Sequence, residues 1–474
     1  MSTILTIDQG TSSTKAIVVD DGEVVAIADE PVRPAYLDGG GVEQDPKELL
    51  DSVLRSGRRA VERSGRTIHA VALANQGETV LAWDESTGAP LTPAIVWQDR
   101  RSEGICAALS DYADRVAQRT GLELDPYFSA PKMAWVRANL TRSGVVTTTD
   151  TWLVHHLCGA FVTDASTASR SLLVDIDAMA WDPELCALFG LENEKLPRIV
   201  RSDEIVGTTD AFGPEVPVTG LIVDQQAALA AESCLQPGMA KCTFGTGAFL
   251  LANVGLTAVR SGAGLTTSVA WNSAVDSAYC IDGQIYTAAS AVRWARDLGL
   301  VGGADELDTV AADDAGGVLF VPAFAGLAAP WWDSKAGASI SGMTLSTGRE
   351  HLVRALLDGI AAQVASLVRL VEADLGGSVE RLRVDGGLTQ SSVLMQMQAD
   401  LLQVPVDLYP SSNATPLGAA AFARLAIGDA STLVDAVGEW RAERTYEPEW
   451  QPEQAAAYLE RWSAAERTAV VKGE

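Results

Sequence analysis

The feature that most constrains this chain is a construction that occurs twice. An apolar strand over residues 4–8 runs into Gln9-Gly10-Thr11-Ser12-Ser13, and a second strand follows over 14–19. About half the chain later, Lys241-Cys242-Thr243-Phe244-Gly245-Thr246-Gly247-Ala248 repeats the pattern of strand, Gly/Thr turn and strand, ending near Val254. The interval is too long for a solenoid. Chance likeness of two Gly/Thr hairpins is the plainer reading; two similar halves meeting across a cleft is the one the rest of the sequence favours. The Pro/Gly break at Leu235-Gln236-Pro237-Gly238 divides them into 1–235 and 236–474.

Between the hairpins, strand and helix signals alternate. Asp20-Asp21-Gly22 reads as a turn into a third strand over 24–28. Asp45 then caps a helix with Pro46 at its first position and Glu48 three residues after the cap. Leu50, Val53, Leu54 and Val61 share one face of that helix, and an apolar run over 68–74 follows. The expected class is α/β.

Charge narrows the partners. The 474 residues carry 35 Lys+Arg against 62 Asp+Glu, a net −27. Such acidity disfavours nucleic acid, whose phosphates call for basic surfaces. Any anionic ligand must be held by local donors or by a metal ion, against the field of the whole chain. The six cysteines are scattered without a CxxC, as expected for reduced thiols. The N-terminus reaches Asp8 too early for a secretory signal, and no run of about 18 uncharged apolar residues appears. A cytoplasmic protein with no membrane segment is expected.

There is no GxxxxGK[ST], and Gly262-Ala263-Gly264 lacks the third glycine of a dinucleotide fingerprint. The candidate phosphate sites are therefore the two hairpins, where small residues let backbone N–H groups converge and hydroxyls add donors. Arg383-Val384-Asp385-Gly386-Gly387 precedes a helix over 391–402, and glycines there admit close approach of a flat ligand or another strand. Asn413-Ala414-Thr415-Pro416-Leu417-Gly418-Ala419 begins a helix suited to tight packing across an interface. Asp8 stands at a strand end. Asp224 closes the apolar run 218–223 and opens a helix over 225–233, where it either caps the helix or faces the ligand crevice. Tyr127-Phe128 lies in a polar loop and reads most simply as incidental surface.

Together these segments resemble the FGGY carbohydrate kinases, and within that family the glycerol-phosphorylating branch. The resemblance spans nearly the whole chain. It rests on Ile7-Asp8-Gln9-Gly10-Thr11-Ser12-Ser13, Asn75-Gln76 with Glu78-Thr79, Trp97-Gln98-Asp99-Arg100-Arg101, and Asp125-Pro126-Tyr127-Phe128-Ser129 with Lys132 and Trp135. It continues through Asp224-Gln225-Gln226-Ala227, Gly238-Met239-Ala240-Lys241, Phe244-Gly245-Thr246-Gly247, Val321-Pro322-Ala323-Phe324 and Arg383-Val384-Asp385-Gly386-Gly387.

The resemblance implies two actin-like (ribonuclease-H-like) domains flanking an ATP cleft. It also implies transfer of the ATP γ-phosphoryl group to a hydroxyl of glycerol or a related polyol. By position, Asp224 is the general base. Asp8, with Asp224, attends Mg²⁺. Thr11, Ser12, Ser13, Lys15, Gly245 and Thr246 cradle phosphates, while Ala289, Arg293, Gly386, Gly387 and Ser391 border adenosine. Gln76, Gly77, Glu78, Trp97, Tyr127, Asp224, Gln225 and Phe249 form the acceptor pocket. Relatives assemble as homodimers or homotetramers, which is expected here too.

Some positions depart from the pattern. Gly77 stands where the branch has arginine, removing a charged donor that contributes about 1.5–3 kcal/mol. The vacated volume suggests an acceptor with extra carbons, such as a tetritol or pentitol. Lys15 replaces an arginine, Ala289 a glycine, Arg293 a glutamine and Ser391 an asparagine. Phe212-Gly213-Pro214-Glu215-Val216 lacks the Gly/Lys-rich loop by which some relatives bind a sugar bisphosphate, so no such feedback is expected. A kinase for a ketose or a sugar acid is the alternative enzyme. A catalytically idle, actin-like sensing or interaction protein is the alternative of another kind.

Overall fold

The computed structural model describes residues 2–470. Both hairpins form, and each nucleates a sheet. In the first half Ile4–Gln9 pairs antiparallel with Ser13–Asp20, which pairs antiparallel with Glu23–Pro31. On its other flank Ile4–Gln9 runs parallel to Ala70–Asn75, which runs parallel to Val216–Val223; Gly207–Thr209 closes that edge antiparallel. In the second half Ala240–Phe244 pairs antiparallel with Ala248–Gly255, and that strand with Ser277–Ile285. Thr266–Asn272 extends this side. The other flank is Leu382–Asp385 and Val406–Leu408, both parallel, with Arg444–Tyr446 antiparallel at the edge.

The order of the central strands is therefore the same in both halves, which is the internal repeat anticipated from the hairpins. Helices cover both faces of each sheet, so inner strands read as continuous apolar runs. Ala70–Asn75 is buried at every residue.

The helix after the first three strands spans Pro46–Ser64, with the Asp45 carboxylate accepting from the Lys47 N–H. Its buried face differs from the expected one. Leu49, Ser52, Val53, Ser56, Gly57 and Ala60 are buried, whereas Leu50, Leu54 and Val61 are half-buried. Small residues set the choice: the Ser52 hydroxyl lies 2.6 Å from that of Thr14, and Gly57 sits against the Phe212 ring with no room for a Cβ. Close approach to the sheet outweighs burial of larger side chains.

Two helices hold the halves together. Asp224–Ala231 follows the last parallel strand of the first sheet, and Ala414–Ala426 comes from the second half. A Cβ at Gly418 would lie 1.9 Å from the Ala227 carbonyl oxygen, and one at Gly220 would lie 2.6 Å from the Ala419 oxygen. The small residues at 413–419 thus serve packing, as expected. Around the helices Ile4, Ala72, Ile222, Leu251, Trp271, Cys280 and Phe422 form one apolar cluster drawn from both halves.

Arg349–Leu375 is long and apolar enough to cross a membrane by length and composition. Yet 78% of its most apolar window is buried within the protein, where it is a core helix of the second half.

A smaller five-stranded sheet built on the first half contains Ala35–Leu37, Gly41–Gln44, Ala94–Ile95, Val80–Trp83 and Val145–Thr148. It carries the loops that bring Glu78 and Trp97 to the cleft. Tyr127 and Phe128 are buried, contrary to the expectation of incidental surface. Lys132 fixes their loop, its ammonium donating to the carbonyls of Pro126 at 2.7 Å, of Phe128 at 2.9 Å and of Tyr127.

Candidate active site

A cavity of about 230 Å³ opens where the two hairpin turns face each other. Every residue expected in the acceptor pocket lines it: Gln76, Gly77, Glu78, Trp97, Tyr127, Asp224, Gln225 and Phe249. Thr11 and Ser12 of the first turn and Gly245 and Thr246 of the second complete one end. Tyr36, Gln98 and Thr243 line it too, and sequence reasoning did not single them out.

The polar wall is built around Gln76. Its side-chain oxygen accepts from Thr11 Oγ1 at 3.1 Å and Thr79 Oγ1 at 3.2 Å, and its Nε2 donates to Gln44 Oε1 at 2.9 Å. Trp97 Nε1 donates to Thr11 Oγ1 at 2.8 Å. The Thr11 hydroxyl is thus committed to the pocket wall. The apolar wall is aromatic: the Trp97 ring lies 5.5 Å from that of Tyr127 and 6.2 Å from that of Phe249, both edge-on. Aromatic faces opposite carboxylates and amides suit a small polyhydric alcohol, whose C–H edges and hydroxyls alternate.

Gly77 does not widen the cavity as expected. A Cβ there would point at Val223 Cγ2, 3.1 Å away, with Cδ and Nε of Arg170 at 3.9 Å. The space is already filled, which removes the volume argument for a longer acceptor.

Asp224 is the first residue of its helix. Val223 is the N-cap and makes no side-chain cap bond, so capping does not explain the aspartate. Its Oδ1 accepts from the Gln225 N–H at 2.7 Å. Burial raises its pKa, opposed by that hydrogen bond and by Lys241 and Arg170. A carboxylate raised toward neutrality is a better proton acceptor at working pH.

Asp8 is the penultimate residue of the strand Ile4–Gln9. Burial and then the charge of Asp224 push its pKa up to about 7, with Lys15 opposing and Asp29 and Asp385 adding to the rise. Asp385 Oδ1 is buried without a hydrogen-bond partner. Asp224 and Asp385 therefore both repel the Asp8 carboxylate, an arrangement that a cation would relieve. Among the described residues no group of three His, Cys, Asp or Glu side chains converges as a metal cage.

A buried chain of hydrogen bonds crosses from one half to the other. Lys241, fully buried, donates to Gln225 Oε1 at 2.6 Å and to Thr243 Oγ1 at 2.8 Å.

The remaining nucleotide-side residues lie outside this cavity. Ala289 begins a helix, its N–H donating to the Gly245 carbonyl at 3.0 Å, and Arg293 is exposed one turn on. Gly386 has φ 97°, and a Cβ on it would lie 2.5 Å from the Phe244 oxygen; Gly387 beside it is exposed. Lys15 reaches across the cleft to the Ser412 carbonyl at 3.1 Å. The Ser13 carbonyl accepts from Gly10 N–H within its turn. Ser391 does not line this cavity. It is buried, donates to Asp308 Oδ1 at 2.5 Å, and caps its helix by accepting from Leu394 N–H at 3.2 Å.

Two actin-like halves, with glycine turns from both and carboxylates gathered between them, define a phosphotransferase architecture, and the chain belongs to the FGGY family of carbohydrate kinases. The family's N-terminal domain matches residues 3–231 and its C-terminal domain residues 240–427. Within that family it is similar to a glycerol kinase of Aromatoleum aromaticum, 42% identical over 98% of both chains. It is also similar to glycerol kinase 2 of Thermotoga maritima, 41% identical over 98% of both. Among solved structures it matches a Plasmodium falciparum glycerol kinase with ADP, with a TM-score of 0.91, 32% identity and coverage of 100% and 99% of the two chains.

Sequence reasoning missed Arg170. It pairs with Glu78 and reaches Asp282, 112 residues away. Its one signal was its place as the lone charge between Asp164 and Asp175 in Ala165-Ser166-Thr167-Ala168-Ser169-Arg170-Ser171-Leu172-Leu173-Val174.

Proposed function

We propose that the chain phosphorylates a hydroxyl of glycerol, or of a polyol near it in size, using MgATP. The observation that carries this is one cavity holding the Trp97, Tyr127 and Phe249 rings, the Gln76 amide and the Glu78 and Asp224 carboxylates between the two turns. In this reading Glu78 accepts from the vicinal hydroxyls, Gln76 holds the polar wall beside it, and the rings cover the carbon edge. Asp224 takes the proton of the attacking hydroxyl. Backbone N–H groups at Thr11, Ser12, Gly245 and Thr246 hold phosphate oxygens, while Gly386 and Gly387 admit the adenosine. Phosphoryl transfer needs little more than this alignment and charge neutralisation.

Asp8 and Asp224 would hold Mg²⁺ through its waters, and the ion would neutralise the triphosphate as it enters an acidic protein. Residues 1–235 supply the acceptor pocket and base, and 236–474 the nucleotide side; the gap between the two matched family domains supports a division there. All six cysteines are free and five are buried, which suits a reducing cytoplasm. A homodimer or homotetramer belongs to the same reading.

The test is ATP turnover with glycerol, erythritol, threitol and the pentitols, with the phosphorylated product identified by phosphorus NMR. Glycerol is expected to lead, because the Gly77 position offers no added volume. A pentitol preferred by orders of magnitude, or no polyol turnover, would overturn the reading.

A further inference from the structure

Glu78 lines the cavity with φ 57°, in the left-handed region, and is 3% exposed. Burial opposes its ionisation, yet only the carboxylate form accepts hydrogen bonds from two neighbouring hydroxyls. Arg170 supplies what the site needs. Its Nε donates to Glu78 Oε1, leaving Oε2 for a ligand. Its Nη1 donates to Asp282 Oδ1 at 3.3 Å and to Ser268 Oγ at 3.4 Å, on the strands Ser277–Ile285 and Thr266–Asn272 of the second half. The guanidinium also lies 5.7 Å from the Tyr127 ring and 5.8 Å from that of Phe128.

Arg170 is 6% exposed and does not itself line the cavity. It occupies the flank of Gly77, where the sequence pattern lacks its expected arginine. An arginine fork is suited to this geometry because separate N–H groups bind separate partners in fixed directions.

We propose that Arg170 is the positioning residue of the acceptor pocket, aiming the Glu78 carboxylate into the cavity and tying it through Asp282 to the sheet of the second half. The inference rests on the polyol kinase reading. Acceptor binding is then coupled to the seating of the two halves, because the same guanidinium serves both. The charged groups facing Glu78 are Arg170, Lys132 and Asp224; those facing Arg170 are Asp282, Glu78 and Asp224, with the Tyr127 phenol neutral beside it.

The experiment is steady-state kinetics of the full chain against pH, with glycerol and ATP varied separately. Arg170→Met is expected to raise KM for glycerol about 10- to 100-fold, the loss of one charge-assisted contact. KM for ATP should stay within about twofold, and the acid limb of kcat/KM should move to higher pH because Glu78 has lost its cation. Arg170→Lys should recover part of the glycerol KM. Asp282→Asn should move the acid limb the opposite way, since Arg170 then faces Glu78 alone. In a Glu78→Gln background Arg170→Met should add less than about twofold.

Wild-type KM and acid limb in Arg170→Met would overturn the inference, as would equal rises in both KM values. If Arg170→Met does not fold, Asp282→Asn decides: an acid limb left in place, or moved upward, overturns it. A wild-type chain that turns over no polyol would overturn the functional reading and this inference together, whereas wild-type turnover with an indifferent Arg170 overturns this inference alone.

Discussion

The two halves repeat one strand order but put different chemistry at matching places. At the end of the first strand the N-terminal half has Asp8, and the C-terminal half has Thr243. After the next parallel strand, Asn75-Gln76-Gly77-Glu78 faces Asp385-Gly386-Gly387; after the last, Asp224 faces Tyr409-Pro410. At these strand ends one half places side chains, and the other places glycines. The lesson is that duplication fixes where a site will be, and a handful of strand-end residues fixes what each side does. In an open α/β sheet those ends border the crevice whatever residue occupies them.

The sharpest break of this asymmetry is Asp224→Ala. If the side-chain half carries the chemistry, kcat should fall about 10²- to 10⁴-fold with little change in KM for ATP, measured by ADP release. A variant retaining most activity would remove the distinction between the halves.

Next in size is the glycine half. Gly386→Ala should cost about 2–4 kcal/mol in urea unfolding, because φ 97° is a glycine conformation and the new Cβ would meet Phe244 at 2.5 Å. Gly387→Ala, with nothing within 4 Å, should stay within about 0.5 kcal/mol. Equal costs would mean that the glycine pair is not shaped by close approach.

Asp8→Asn tests the acid cluster, and its sign depends on pH. A carboxyl raised from 3.8 to about 7 holds its proton more tightly in the folded state. Its contribution to stability is therefore complete below pH 3.8 and lost as pH rises through about 7. Without nucleotide, the asparagine variant should melt about 2–4 °C higher than wild type at pH 8, with no gain at pH 3.5. Its kcat should nevertheless drop. A gain that is the same at both pH values would exclude carboxylate repulsion as the cause.

The smallest effect is expected from Trp97→Phe, which keeps the ring and loses the donor to Thr11. KM for glycerol should rise about fivefold, the worth of one neutral hydrogen bond near 1 kcal/mol.

Much of this was legible in the chain. The hairpins showed because Gly, Thr and Ser at a strand end have few other uses, and every acceptor-pocket residue anticipated from the motifs lines one cavity. What was hidden depends on contacts between distant segments. Arg170 lies 92 residues from Glu78, and neither neighbour in sequence hints at the pairing. Lys241 was visible as part of a motif, but its bridge from Gln225 to Thr243 required the two halves to be docked. The same holds for Ser391, whose hydroxyl is drawn inward by Asp308, far away in sequence. The helix Pro46–Ser64 misled because periodicity counts large apolar residues, while this interface selects small ones.

The placement of Ala414–Ala426 against the first sheet bears on how the gene could be cut. A fragment ending at residue 231 would leave Ala72, Ala74 and Ile222 facing water where Ala419 and Phe422 belong. Recombination that exchanges one lobe for that of a homologue must therefore bring this late segment with the early lobe, or the hybrid will aggregate before any question of turnover arises.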